Sequence, residues 1–135
     1  MSLNSEERNA IVAYRIEKSK NTLVEAEGIA NQGYWNAVAN RLYYAAYYMV
    51  NALLIQNGFS AQSHSGVIRL FSMNFVKTQK IASEYGKIFS QLFELRLTGD
   101  YDDLYNLDEE RVKPFVELTA KFIKEIEKLI SYATT

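Results

Sequence analysis

The chain has 135 residues, 48% of them hydrophobic and 23% charged, the make-up of one globular domain large enough to bury a core. It contains no cysteine, which excludes a disulfide framework and thiolate metal sites and fits a reducing compartment. A net charge of -1 and a pI near 5.9 leave no general basic field to gather nucleic acid, so any RNA contact must use a local patch.

No basic start leads into an apolar run, so no signal peptide is expected. The longest apolar-rich stretch, Asn40 to Leu54, is interrupted by Arg41 and Asn51 and is too short to span a bilayer. A cytoplasmic protein without membrane association is expected.

Strand signals are absent and helical periodicity runs throughout. The pattern predicts an all-α, up-and-down bundle of about five helices, four long and one short, in a single domain over 1–135. The first helix is predicted from about Asn4 to Asn31. Asn4 or Ser5 can cap it, Glu6 and Glu7 suit its positive end, and Ile11, Tyr14, Ile16, Leu23 and Ile29 form its apolar face. The second runs from about Tyr34 to Asn57 and closes at Gly58, a residue suited to the position after a helix end. A short third begins near Ser63 or Ser65 and ends around Phe75, and the fourth spans about Thr78 to Gly99. After an irregular "DYDDLYNLD", the fifth starts near Asp108 and reaches about Tyr132. Pro114 falls too late for a first-turn proline of that helix. Either the helix proper begins closer to Val112 or it is kinked there.

The second helix carries the least ordinary sequence, "NRLYYAAYYMVNALL". At about 100° per residue, Arg41, Tyr44, Ala45, Tyr48 and Ala52 fall on one side, and Leu42, Ala46, Met49, Val50, Leu53 and Leu54 cover most of the other. A helix apolar nearly all round is a central one, with neighbours on several sides. Tyr43 and Tyr47 share a third face and read as packing residues whose hydroxyls reach partners at the rim. Arg41 calls for an acid or an anion, because a guanidinium is seldom buried unpaired.

On the fourth predicted helix, Tyr85, Phe89, Leu92 and Arg96 share one stripe. Asp100 can pair with Arg96 one turn further on if the helix persists that far, and Tyr101 follows it. Two readings stay open. Arg41 and Arg96, with Tyr44, Tyr48, Asp100 and Tyr101, line an anion-binding cleft, or the Arg–Asp pairing is a buried network that sets helix register. His64, the single histidine, stands in "QSHSG" where the positive end of the third helix disfavours imidazolium. By itself it reads either as ordinary surface chemistry or as a functional group. No second histidine, cysteine cluster or Glu-x-x-His pair is present, and the carboxylates of "DYDDLYNLDEE" lack EF-hand spacing, so no metal or other cofactor is expected.

Three blocks in order, "NRLYYAAYYMVNALL", "SHSGVIRLF" and "ELRLTGDYDD", resemble the HEPN domain, an all-α family. The matching positions are Arg41 with Tyr43 and Tyr44, His64 with Gly66 and Val67, and Arg96 with Asp100 and Tyr101, spread over nearly the whole chain. The resemblance implies a five-helix bundle that forms a homodimer and associates with nucleotides and RNA. It also implies a minimal nucleotidyltransferase partner in a toxin–antitoxin-like pair. Active members of the family are metal-independent endoribonucleases with an Arg-x4-6-His motif. There the arginine would stabilise charge on the phosphate and the histidine would act as general acid or base.

This chain departs from that motif. No histidine follows Arg96 within six residues, and Tyr48 stands where many relatives carry histidine. The family reading leaves Arg96 and His64 as catalytic candidates. It leaves Arg41, Tyr44, Tyr48, Arg96, Asp100 and Tyr101 as ligand- or anion-binding ones. Tyr101, a phenol, is a poor base at neutral pH. The expected functions are a toxin–antitoxin or nucleotidyltransferase-associated module binding nucleotide or RNA phosphate, a dimeric endoribonuclease, or a structural dimerisation module. Nothing points to DNA.

Overall fold

A computed structural model of the chain describes residues 3–102, 104 and 106–134, with 131–134 as backbone only. The architecture is all-α, with no strand among the described residues. Four long helices, α1 (Ser5–Ala30), α2 (Trp35–Gln56), α4 (Ser83–Tyr101) and α6 (Pro114–Thr134), pack with a short α3 (His64–Phe71) and a single turn, α5 (Glu109–Val112).

Local chemistry accounts for the ends. Asn4 caps α1 in a reciprocal box: its Oδ1 accepts from the Glu7 amide at 2.8 Å, and its own amide donates to Glu7 Oε1 at 3.0 Å. Gly58, with φ of 83°, follows α2 in the left-handed conformation that a side chain would resist. Ser63 caps α3 by accepting from the Gly66 amide. Asp108 caps α5, and Pro114 is the first residue of α6, where its missing N–H costs nothing. The fifth predicted helix is thus two pieces, and the proline marks the join.

α2 is the hub, touching α1, α3, α4, α5 and α6. Leu42, Ala46, Met49, Val50, Leu53 and Leu54 are all buried, as are the alanines at 39, 45 and 52 that let neighbours approach. α1 lies antiparallel on it. Arg8 Nη1 donates to the Ile55 carbonyl at 2.6 Å, Ser19 Oγ to the Ala45 carbonyl at 2.7 Å, and Glu25 pairs with Arg41. The Arg8 contact also places a cation at the negative end of α2. Phe71, Phe89 and Phe122 meet at centroid distances of 5.7–6.0 Å between α3, α4 and α6. Each is buried, worth roughly 2–3 kcal/mol of transfer energy.

Several expectations are corrected. Tyr14, expected on the apolar face of α1, is exposed beneath the Lys18 ammonium; Val12, Ser19, Thr22 and Ala26 are the buried residues of that helix. The third predicted helix ends in a π-helical turn, Ser72–Val76. Its successor does not start at Thr78. Gln79 adopts φ of 62°, and the amides of Lys80 and Ile81 both donate to the Phe75 carbonyl, so the chain turns before α4 begins at Ser83. α4 in turn runs two residues past Gly99, its last amide bond being Asp102 to Thr98.

Gly99 explains how α4 meets α2 at that end. A Cβ there would lie 3.4 Å from the Asn36 backbone and 3.0 Å from Leu107 Cδ1. Asn36 also accepts from the Leu107 amide at 2.9 Å, tying the incoming loop to the start of α2. This close approach sets Asp100 beside Asn40.

Candidate functional site

The extension of α4 brings Arg96 and Asp100 one turn apart on the same helix, with Arg96 Nε 3.2 Å from Asp100 Oδ2. The Arg96 side chain is only 7% exposed. Its Nη2 donates to the Tyr101 hydroxyl at 3.3 Å, while Nη1 is buried and finds no acceptor among the described residues. Rings fill the remaining space: the guanidinium carbon lies 5.4 Å from the centroids of Tyr43 and Tyr44, 5.6 Å from Tyr101 and 6.0 Å from Phe93. Burial works against the Arg96 charge. The hydrogen bond to Tyr101, then the Tyr44 and Asp100 contacts, outweigh it and push its pKa upward.

Arg41 reaches the same cluster from α2. Its guanidinium carbon is 5.5 Å from the Tyr44 ring, so Tyr44 is shared by both arginines. Arg41 is more open, 32% exposed, and its pairing with Glu25 is long, at 3.5 Å. Its closer partner is Asn40 Oδ1, to which Nη2 and Nε donate at 2.8 and 3.0 Å. The Asn40 amide nitrogen donates in turn to Asp100 Oδ2 at 2.9 Å. The result is a continuous chain, Arg41–Asn40–Asp100–Arg96, across α2 and α4.

Asn40 is the residue that sequence reasoning missed. The signal was present: an amide one place before Arg41, on a helix otherwise apolar nearly all round, has a desolvation cost that needs a partner.

His64, by itself either a surface or a functional group, is half-buried in the same cluster. Its ring contacts Tyr47 at 4.8 Å, Tyr43 at 5.5 Å, Tyr44 at 5.8 Å and Phe93 at 6.2 Å. The Tyr43 hydroxyl is 2.8 Å from His64 Nδ1. Tyr43 is fully buried, and that burial pushes its phenol far above the ordinary tyrosine range. Tyr43 therefore keeps its proton, and where its hydroxyl donates to Nδ1 the imidazole carries its proton on Nε2. Burial, and then the nearby Arg96 charge, hold His64 below the usual histidine range, so the ring is neutral near pH 7.

Tyr47 packs on Tyr43 at 5.8 Å, as the shared face of the pair requires; burial raises its phenol as well. Tyr48 stands at the margin. It touches Tyr44 and Tyr47, and the Lys18 ammonium lies 4.9 Å over its ring from α1. Tyr101 is largely exposed at the end of α4. The site thus gathers Arg96, Asp100, Tyr101, Arg41, Tyr44 and His64, with Tyr48 one ring away. Among the described residues no cluster of carboxylates and imidazoles could hold a metal ion, and no helix is long and apolar enough to cross a membrane.

An all-α bundle with an arginine–aspartate pair on its fourth helix, facing tyrosines and an arginine on its second, defines a class. The HEPN domain family model matches residues 12–129, and the chain belongs to that family. It is 39% identical over 124 residues to a UPF0332 protein of Thermotoga maritima, covering 92% of this chain and 94% of that one. It is 34% identical to a Methanocaldococcus jannaschii protein named "Putative toxin MJ0605", covering 92% of this chain and 96% of that one. The crystal structure of TT1696 from Thermus thermophilus superposes with a TM-score of 0.74 over 87% of this chain and 97% of the other, at 15% identity, a likeness of fold.

Proposed function

We propose that this chain is a HEPN module of the toxin–antitoxin type, whose Arg96-centred cluster takes a phosphate of a nucleotide or of RNA. The observation that carries the reading is the state of Arg96. Among the described residues this buried guanidinium has polar partners only at the solvent end of α4, Asp100 and the exposed Tyr101, and its Nη1 has no acceptor. A phosphate that displaces the Tyr101 hydroxyl would meet Arg96 Nη2, with Arg41 across the Tyr44 ring and Asn40 as a further donor. The relatives named as toxins support the toxin–antitoxin setting. In that setting the module acts in the cytoplasm as a homodimer, with a minimal nucleotidyltransferase as its partner.

The test is a thermal-shift titration with ATP, AMP, GTP and a short oligoribonucleotide on wild type, Arg41→Ala and Arg96→Ala. A ligand bound only by the folded chain at about 100 times its Kd adds roughly 2.7 kcal/mol of stability. The expected result is stabilisation by at least one of these that Arg41→Ala weakens. Arg41 is open enough that its loss leaves the fold intact, so the reading does not depend on a variant that melts early. No stabilisation by any of the four ligands would refute it.

A second reading, a metal-independent endoribonuclease, is favoured by one specific observation. His64 lies against three of the rings that contact Arg96, supplying from α3 the histidine that α4 lacks. An imidazole there can take a proton as general base through its unprotonated nitrogen when neutral, and return it as general acid from the imidazolium form. Cleavage of a labelled RNA in the presence of EDTA, lost in His64→Gln, is the expected outcome. Equal cleavage by both proteins would remove His64 from the chemistry.

A further inference from the structure

A second surface lies on the other side of Phe93. Between α3 with its π-helical turn and α4 runs a groove of ≈ 880 Å³. Its α4 wall is built from positions 83, 86, 87, 90, 93 and 94, one stripe of that helix, which makes it about 16 Å long at ~1.5 Å per residue. The opposite wall follows the same spacing from Ser65 to Lys77. Three turns of helix on each side frame a trough of the length and shape that a third helix fills.

The chemistry of the groove is specific. Ile68, Val76 and Phe93 supply an apolar floor, and Met73, 50% exposed, adds a flexible apolar edge. Gly86 keeps the α4 wall low, since a Cβ there would already lie 3.0 Å from Val76 Cγ2. Three cations stand on the lining, Arg69, Lys77 and Lys87, against one carboxylate, Glu94. None of the three cations is in an ion pair among the described residues. On a chain whose net charge is -1, this is a local excess of unpaired positive charge around an apolar trough.

We infer that this groove is a docking site for an acidic amphipathic helix of a protein partner. A leucine-rich stripe fills the floor between α3 and α4, and flanking carboxylates meet Arg69, Lys77 and Lys87. Groove-to-groove pairing with a second copy of this chain is disfavoured, because it would set like charges against each other. A nucleic-acid backbone would use the cations but leave the aliphatic floor wet. Phe93 belongs to both surfaces, touching the His64 and Tyr43 rings as well as the groove. A docked helix therefore borders the Arg96–His64 cluster.

The test uses the full chain. Helix-forming 16-residue peptides are selected from a randomised display library, and binding of the enriched peptides is measured by fluorescence anisotropy. The variants are Met73→Glu and the double substitution Arg69→Glu with Lys87→Glu, all at exposed positions, with melting curves checked against wild type. The expected result is enrichment of peptides with an apolar stripe flanked by Asp and Glu. Their affinity should fall about tenfold or more in both variants, and binding should shift the amide signals of Ile68, Gly86 and Ser90. The inference is overturned if the enriched peptides are neutral or basic, if none is enriched, or if the variants leave affinity unchanged. It is equally overturned if an oligouridine competes for the groove with the same sensitivity to the variants, or if the variants instead change the oligomeric state.

Discussion

His64 on α3 and Arg96 on α4 contact the same three rings, Tyr43, Tyr44 and Phe93, and the Tyr43 hydroxyl lies 2.8 Å from His64 Nδ1. Two cationic or potentially cationic groups thus share one aromatic wall. Only Arg96 is charged at neutral pH, because burial, and then the Arg96 charge itself, hold the His64 pKa down.

Tyr43→Phe tests how the histidine is held. The ring packing survives the substitution and the hydroxyl is lost, so His64 Nδ1 loses its partner. The expected loss of stability is about 1 kcal/mol, a fall of roughly 3 °C in Tm for a domain of this size. Nitrogen chemical shifts of the imidazole should move from a single tautomer toward a mixture. An unchanged tautomer would mean that something other than Tyr43 selects it.

The depressed His64 pKa has a defined consequence for stability. The unfolded chain takes up a proton near pH ~6.5, before the folded chain does, so lowering the pH through that value favours unfolding. Stability should therefore fall as pH drops below about 6.5 and stop falling, on this account, once the folded histidine also protonates. Carboxylates titrate in wild type and in His64→Gln alike, so the difference between their urea midpoints from pH 7.5 to 5 isolates the histidine. A difference that does not vary with pH would contradict the assignment.

Asn40 connects the two arginines, and its removal should uncouple them. Asn40→Ala is expected to cost about 1–2 kcal/mol, since it deprives both Asp100 and Arg41 of a hydrogen bond. Arg41→Ala, at a half-open position with a long ion pair, should cost under about 1 kcal/mol. In a double-mutant cycle, Arg41→Ala and Asp100→Asn should show a coupling of about 0.5 kcal/mol that disappears when Asn40 is alanine. Coupling that persists would mean the arginine acts on Asp100 through space.

The first turn of α1 should open without the rest. Asn4→Ala removes the side-chain acceptor of the Glu7 amide, while the backbone N–H of position 4 can still donate to Glu7 Oε1, and should cost about 1 kcal/mol. Hydrogen exchange should quicken at the amides of Ser5 to Arg8 and stay unchanged at the buried centre of α2. Faster exchange throughout would show that the cap governs global stability.

What the sequence determined by itself was whatever repeats within one helix. The all-α class, helix starts at Asn4 or Ser5, at Ser63 or Ser65 and near Asp108, the stop at Gly58, and the burial of Tyr85, Phe89, Leu92 and Arg96 on one stripe all follow from local spacing and local backbone chemistry, and the structure places the caps at Asn4, Ser63 and Asp108. The pairing of Arg96 with Asp100 was legible for the same reason, given only that the helix extends past Gly99. The turn at Gln79 was not, because a glutamine carries no sign of the left-handed conformation it adopts once Ile81 is drawn into the core. Tertiary structure alone decided the contacts that cross helices. Tyr43 meets His64 from 21 residues away, and Asn40 meets Asp100 from 60. Those meetings depend on how closely α2, α3 and α4 approach and at what rotation, which residues such as Gly99 and the buried alanines of α2 permit but do not spell out in any single helical stripe.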